Sequence, residues 1–384
     1  MIIKNGTVFM EDGTFQKADV IVKGNKIERI CADTSCSEAN MVNAESCYVI
    51  PGLVDIHFHG CDGHDFCEAT EEAFQKISRY ELTHGITSIC PATMTLSADE
   101  LTTICRNAAS YSRKQRDTQY EKNEAILTGI HLEGPYLSYE KRGAQNPEFL
   151  RFPNVSEAEH LCEVSEGLVK LLSIAPELPG SMEAIEQLRD KMVISIAHTT
   201  ADYATASKAF KKGASHVTHL FNAMKPFTHR EPGVVGAAFD APDCDVELIC
   251  DGIHIDPSMV RAVFRLFSDK RVILISDSMM AAGMPDGDYS LGGQAVKVTG
   301  NLATLSDGTI AGSATNLFDC MRTAVSMGIP LESAVRAASM NPARSIGIDS
   351  YTGSITPGKD ADLLILNKDL SLREIYCKGR KVTI

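Results

Sequence analysis

Two histidines one residue apart, His57 and His59, close the apolar run Val49-Ile50-Pro51-Gly52-Leu53-Val54-Asp55-Ile56. Residues i and i+2 of a strand point to the same face, so both imidazoles would leave the end of one buried strand side by side. Three more ligand-type residues end later apolar runs: Glu133 in His-Leu-Glu-Gly-Pro, His198 in Ile-Ala-His-Thr, and His219 in Val-Thr-His-Leu-Phe-Asn-Ala-Met. Asp277, in Leu-Ile-Ser-Asp-Ser, completes the set. Histidine nitrogen with carboxylate oxygen, and no cysteine among the ligands, suits zinc foremost, with iron(II) or manganese as alternatives. A metal held from one side keeps open positions and lowers the pKa of a bound water toward about 7. Asp277 then has three readings: metal ligand, proton acceptor from the nucleophilic water, or orienting residue. For His84, His131 and His216 a plain hydrogen-bonding role stands beside the ligand role.

The elements that must bring these residues together are legible as periodicity. Buried strands are predicted at 52–57, 87–91, 127–133, 169–175, 193–198, 216–220, 246–251 and 272–277. Helices are predicted at 70–84, 98–113, 181–191, 201–212, 256–268 and 316–327. Strand then helix, eight times, predicts a (β/α)₈ barrel, with a doubly wound open sheet as the runner-up. The barrel is preferred because only a closed ring carries the ends of strands 1, 3, 5, 6 and 8 to one point. The first 50 and last 30 residues alternate in short strands and turns, and together predict one small β-sandwich. The expected division is 1–51 with 350–384 for the sandwich and 52–349 for the barrel. A hairpin-like insertion is expected within 283–310.

Composition bounds the function. The chain has 384 residues, 44% hydrophobic and 23% charged, as in an ordinary globular enzyme. A net charge of −13 disfavours nucleic acid and anionic membrane as partners, and obliges any anionic substrate to find local positive charge. No apolar stretch approaches the roughly 18 residues of a membrane span. The twelve cysteines show no CxxC spacing and are expected to be mostly small, reduced core residues. No signal peptide is read at the start, and a cytoplasmic location is expected.

A barrel with an HxH pair on strand 1, histidines on strands 5 and 6 and an aspartate on strand 8 resembles the amidohydrolase superfamily. Many of its members place a carboxylated lysine at the end of strand 4, but 171–179 contains no lysine. With Glu133 in its place, and with His-Leu-Phe-Asn-Ala-Met and Arg230-Glu-Pro-Gly, the chain is similar to the N-acetylglucosamine-6-phosphate deacetylases over essentially its whole length. The resemblance implies that Glu133, His198 and His219 hold the main metal and that Asp277 is the catalytic acid and base. It implies that Asn222 and Ala223 lie on the loop receiving the phosphate and that Arg230 contacts it across a homodimer. It implies that Ala144, Gln145, Asp251, His254, Ile310, Ala311 and Gly312 line the sugar site.

Some members carry histidine where this chain has Gln145, and some lack the HxH pair and work with one metal. Here the expectation is a second ion, held by His57 and His59 and bridged through Glu133, with Gln145 hydrogen-bonding substrate. The expected reaction is hydrolysis of N-acetylglucosamine 6-phosphate to glucosamine 6-phosphate and acetate by a metal-bound hydroxide. The galacto epimer, an N-acyl-D-amino acid or another amide as substrate, and a scaffold protein without metal, are the alternatives.

Overall fold

Runs such as Val272–Ile275 and Val169–Ile174 are β-branched or leucine-rich and too short for a helix, so they settle as strands covered on both faces. The computed structural model describes residues 1–32, 40–117 and 123–383. The barrel strands are β1 (Leu53–Asp55), β2 (Ile86–Ile89), β3 (Ile126–Leu127 and Ile130–Leu132), β4 (Val169–Ile174), β5 (Val193–Ile196), β6 (His216–Val217), β7 (Asp245–Ile249) and β8 (Val272–Ile275). Each is paired in parallel with the next. The ring closes just past the ends of β8 and β1. There the Asp277 N–H donates to the His57 carbonyl at 2.9 Å and the His59 N–H to the Ser278 carbonyl at 2.7 Å. The barrel is therefore observed, and the open-sheet alternative falls. The two pieces of β3 are separated at Thr128 and Gly129. A Cβ on Gly129 would lie 2.6 Å from Lys170 Cγ, so the close approach of β4 requires glycine there.

The strands end one to three residues earlier than predicted. The residues that follow are turned out of the extended form, with φ of 42° at His198, 29° at His219 and 48° at Asp277. Periodicity runs through such positions without marking them.

Helices cover the outside: α1 (Glu71–Thr83), α2 (Ala98–Arg116), α3 (Val155–Val164), α4 (Ser181–Leu188), α5 (Tyr203–Lys212), α6 (Gly233–Phe239), α7 (Pro257–Arg271) and α8 (Leu317–Ser326). Six of the eight starts, all but those of α4 and α6, are capped by a Ser, Thr, Asn or Asp side chain. The Ser97 hydroxyl accepts from the Glu100 N–H while Glu100 returns to the Ser97 N–H, and Asn316 caps α8. Sequence periodicity missed α3 and α6. The latter reads Gly-Val-Val-Gly-Ala-Ala-Phe, whose glycines and valines are poor helix formers, and its packing against α5 overrides that preference. Two further helices, Leu331–Ala338 and Met340–Ser345, were also missed. The second lies at the N-terminal end of the barrel, where Asn341 Nδ2 donates to the Val272 carbonyl at 2.7 Å. Ala343, Ile346 and Ile348 join the aliphatic core formed with Val54, Ile56, Leu171, Ile249, Ile273 and Ile275. The insertion is a three-stranded antiparallel sheet of Gly287–Leu291, Gln294–Thr299 and Leu302–Thr304, rather than a simple hairpin.

The chain ends meet in one eight-stranded sheet drawn from residues 2–51 and 363–381. One face encloses Ile3, Val8, Val20, Val22, Val49, Leu363 and Ile365. The other, through Phe9, Ile50, Leu364 and Leu366, joins the barrel's core. The sheet folds back on itself, since the Ile27 N–H donates to the Lys359 carbonyl and the Ala361 N–H to the Asn25 carbonyl. The eleven cysteines among the described residues are all free; Cys36 lies outside them. Among the described residues no helix is long and apolar enough to cross a membrane.

Asp362, just before the strand Leu363–Leu366, accepts from the Lys378 N–H at 2.7 Å and the Thr352 hydroxyl at 3.0 Å. Burial pushes its carboxyl up to about 6, against the pull of the Lys378 N–H. A raised carboxyl binds more protons in the folded than in the unfolded state, so its ionisation lowers stability as pH rises from about 4 to 6. Asp362→Asn should therefore stabilise the protein at pH 8 by on the order of 2 kcal/mol and leave it unchanged at pH 4. Thermal melts of both proteins at the two pH values check this.

Candidate functional site

Glu133, immediately past β3, is 2% exposed and sits at the centre of the barrel mouth. Its Oε1 lies 3.2 Å from His198 Nε2, 3.1 Å from His219 Nε2 and 3.3 Å from His57 Nε2. Its Oε2 lies 3.2 Å from His59 Nε2. Asp277 Oδ1 faces the first pair from the other side, 3.4 Å from His59 Nε2 and 3.7 Å from His57 Nε2. The six ligand-type residues expected from sequence thus converge. They fall into two donor groups, Glu133 with His198 and His219, and His57 with His59 and Asp277.

The strand-end pattern places them, but backbone turns aim them. His198, His219 and Asp277 all have positive φ, a conformation costing roughly 1 kcal/mol or more for a residue with a side chain. Gly312 supports this geometry: its φ is 68°, and a Cβ there would meet the Asp277 carbonyl at 3.0 Å.

The donor set fits a divalent ion. His198 Nε2 and His219 Nε2 are 3.1 Å apart, and each is as close to Glu133 Oε1. Ligand atoms at about 2.0–2.1 Å from a tetrahedral centre are separated by roughly 3.3 Å, so the spacing matches. The far sides of the rings are held suitably. His198 Nδ1–H donates to the Lys141 carbonyl at 2.8 Å, and His57 Nδ1 faces Glu247 Oε2 at 2.8 Å. His57 Nε2, though fully buried, has no hydrogen-bond partner. Burial works to raise the Glu133 carboxyl, but the charge of His57 and the hydrogen bonds of His198 and His219 outweigh it and hold it well below the usual range. Burial likewise opposes ionisation of Asp277, and the hydrogen bond from His59 with the charge of His57 keeps its carboxyl low.

Above these residues opens a cavity of about 510 Å³. Ala144, Gln145, Asn222, Ala223, His254, Ile310 and Gly312 line it, as do Lys141, Arg142 and Asp307. Gln145 is fixed by its neighbours. Its Oε1 accepts from the Thr95 N–H at 2.7 Å and its Nε2 donates to Glu133 Oε2 at 2.9 Å, leaving one N–H for a ligand. Phe221 and Ala223 have φ of 76° and 51° on either side of Asn222, whose own N–H donates to the His219 carbonyl at 2.9 Å.

Three expected residues are not on the cavity wall. Asp251 lies behind His254, accepting from its Nδ1 at 2.7 Å and its backbone N–H at 2.9 Å, because the turn folds the carboxylate under the ring. Ala311 is fully buried, its methyl in the core formed with Val296, Val298 and Ala303 of the inserted sheet. Arg230 is exposed in the loop 225–231 and is absent from the cavity of its own chain.

Sequence reading also missed Lys141, Arg142 and Glu247. The cations carried no pattern. Glu247 did leave one signal, a lone carboxylate in the buried strand Asp-Val-Glu-Leu-Ile. His131 and His216 are not at the mouth. They lie deeper, His131 Nε2 bonded to Ser173 Oγ at 2.8 Å and His216 Nδ1 to Ser195 Oγ at 2.9 Å. His84 Nδ1 bonds the Tyr80 carbonyl on the outside.

Comparison with known proteins agrees with this geometry. The pattern of the amidohydrolase family matches residues 48–382. The chain is 36% identical over 384 residues to an N-acetylglucosamine-6-phosphate deacetylase of Bacillus subtilis (strain 168), covering 99% of this chain and 96% of that one. It is 33% identical to an N-acetylgalactosamine-6-phosphate deacetylase of Escherichia coli O157:H7, covering 86% of each. A mutant N-acetyl-D-glucosamine-6-phosphate deacetylase from Mycobacterium smegmatis, solved in complex with N-acetyl-D-glucosamine-6-phosphate, superposes with a TM-score of 0.91 at 32% identity, covering 99% of this chain and 98% of that one.

Burial opposes the charged form of His254, but the hydrogen bond and charge of Asp251 prevail and raise its pKa above the ordinary histidine value. Asp251→Asn should return it toward about 6.5 or below. An NMR titration of the His254 ring in both proteins measures the shift.

Proposed function

The chain belongs to the amidohydrolase family, and from that premise we propose that it hydrolyses the acetamide of N-acetylglucosamine 6-phosphate to glucosamine 6-phosphate and acetate. The observation that carries this reading is the convergence of Glu133, four imidazoles and Asp277 at the floor of a cavity whose rim holds Lys141, Arg142 and His254. The floor is built for a divalent ion and the rim for an anion. The deacetylases of phosphorylated N-acetylhexosamines to which the chain is similar support the substrate class.

Glu133, His198 and His219 would hold the main ion, zinc foremost, and His57 and His59 a second one, with the Glu133 carboxylate lying between the two groups. A bound ion lowers the pKa of a coordinated water to about 7 and polarises the acetyl carbonyl. The protein's own groups do the rest. Asp277, kept ionised, takes the proton of the attacking water at Oδ1 and delivers it to the departing amine nitrogen. Gln145 holds Glu133 in place and offers its second N–H to the substrate. The turn at Asn222 and Ala223, with His254 above it, receives the phosphate. A phosphomonoester is dianionic, so local donors must offset a chain of net charge −13.

Asp277→Asn keeps the shape of the side chain and removes its basicity. Acetate release from N-acetylglucosamine 6-phosphate should fall by about 10²–10⁴ in kcat, with metal content unchanged. Near-normal turnover would remove Asp277 from the proton path. The unphosphorylated sugar should be a much poorer substrate of the wild type, and equal rates on the two would overturn the phosphate reading.

The protein acts as a homodimer in which Arg230 reaches the partner's phosphate. Arg230 is exposed, forms no ion pair among the described residues, and rides a loop stiffened by Pro226 and Pro232. Arg230→Ala should raise KM roughly 10–100-fold, the value of one charge-assisted hydrogen bond, with a smaller effect on kcat. Mixing Arg230→Ala with Asp277→Asn subunits should restore one working site per hybrid dimer, whereas an arginine serving its own chain would restore none.

A further inference from the structure

Below the metal-binding residues, the barrel interior holds an anion that the proposed reaction does not use. Glu247, in the middle of β7, is fully buried between Val246 and Leu248 of its strand. Its Oε2 accepts two hydrogen bonds, from His57 Nδ1–H at 2.8 Å and from the backbone N–H of His219 at 3.1 Å. Its Oε1 has no hydrogen bond; His216 Nε2 and His131 Nδ1 stand 3.8 Å and 4.0 Å away. One carboxylate oxygen therefore touches a residue of each donor group.

We propose that Glu247 is a positioning residue for the second ion: it holds His57 with the proton on Nδ1, so that Nε2 keeps a lone pair aimed between Glu133 and Asp277. The inference rests on the two-ion reading given above. A neutral imidazole carries one N–H, and the ring nitrogen bonded to a carboxylate keeps it. The other nitrogen of His57 is 3.3 Å from Glu133 Oε1 and 3.7 Å from Asp277 Oδ1, without a hydrogen-bond partner. Among the four imidazoles, His57 has a carboxylate at its back. His198 has the Lys141 carbonyl there, while Nδ1 of His59 and of His219 have no hydrogen-bond partner. A carboxylate behind a ligating histidine also makes its free nitrogen a stronger donor.

The position is chosen against a cost. A buried carboxylate adds little stability by itself, and an apolar residue of similar size would suit the strand at least as well. Glu247 is nonetheless surrounded by groups that keep it charged. His57 Nδ1–H and the His219 backbone N–H both point at Oε2, and the rings of His216 and His131 stand beside Oε1. Beneath it, Ser173, Thr218 and Ser195 link His131 to His216 through bonds of 2.6–3.0 Å, so the polar groups around Glu247 are themselves held.

The test counts ions. Protein stripped with a chelator is titrated with Zn²⁺, and bound metal is measured after equilibrium dialysis. The wild type should take up two ions per chain. In Glu247→Gln the amide oxygen can still accept both hydrogen bonds, so shape is kept and charge lost. This variant should bind its first ion as the wild type does and its second about 10–100-fold more weakly. In a His57→Ala background the same substitution should add no further loss, since the histidine it acts through is gone. Unchanged affinity for the second ion in Glu247→Gln would overturn the proposal. So would equal weakening of both ions with a lower melting temperature, the signature of a purely structural residue. A wild type that binds one ion would overturn the two-ion reading, and this inference with it, whatever the variants do.

Discussion

A carboxylate in the throat of a barrel is costly to bury unless something positive answers it, and Glu133 is answered by three imidazoles on one oxygen and a fourth on the other. The rest of the architecture follows from meeting that demand. No single helix or loop supplies nitrogens from so many directions. The ends of β1, β5 and β6 do, because a closed ring of parallel strands points them all at the axis. Positive φ at His198, His219 and Asp277 then turns the side chains the last few ångströms inward. That local strain is borne by the buried strands and the helices packed over them.

Charge is layered along the barrel axis. An aliphatic plug with Ala343, Ile346 and Ile348 closes the N-terminal end. Above it lies the polar stratum of His131, Ser173, Ser195, His216, Thr218 and Glu247, then the ligand residues, and at the mouth Lys141, Arg142 and His254. Carboxylates deep in the barrel favour a bound cation. Cations at the rim favour an anion. A phosphorylated amide long enough to touch both meets each end with its complementary charge. The segment 141–145 couples the two levels, since the Lys141 carbonyl holds His198 and Gln145 holds Glu133 while Lys141 and Arg142 line the cavity.

Much of this was open to reading without coordinates. Strand–helix alternation is a property of local sequence, because a buried parallel strand must be apolar throughout and its covering helix amphipathic. The eight barrel strands were found for that reason, and the ligand-type residues stood out as polar groups at the ends of apolar runs. The missed helix α6 shows the limit of the method. Its Gly-Val-Val-Gly sequence has no helical preference, and packing decides its state.

What only the tertiary structure decided were distances between residues far apart in the chain and directions set by backbone turns. Sequence spacing named Glu133 but not that one of its oxygens faces three imidazoles. The family resemblance implied Asp251 and Ala311, but not that one folds beneath His254 and the other packs its methyl into a core. Sequence spacing passed over Glu247, which looks like an isolated charge in an apolar strand until β7 is seen to stand behind His57, 190 positions away. Residue types declare what chemistry a chain can perform. Which of them meet is decided by the closed ring, because contact between distant residues is a property of the packed whole.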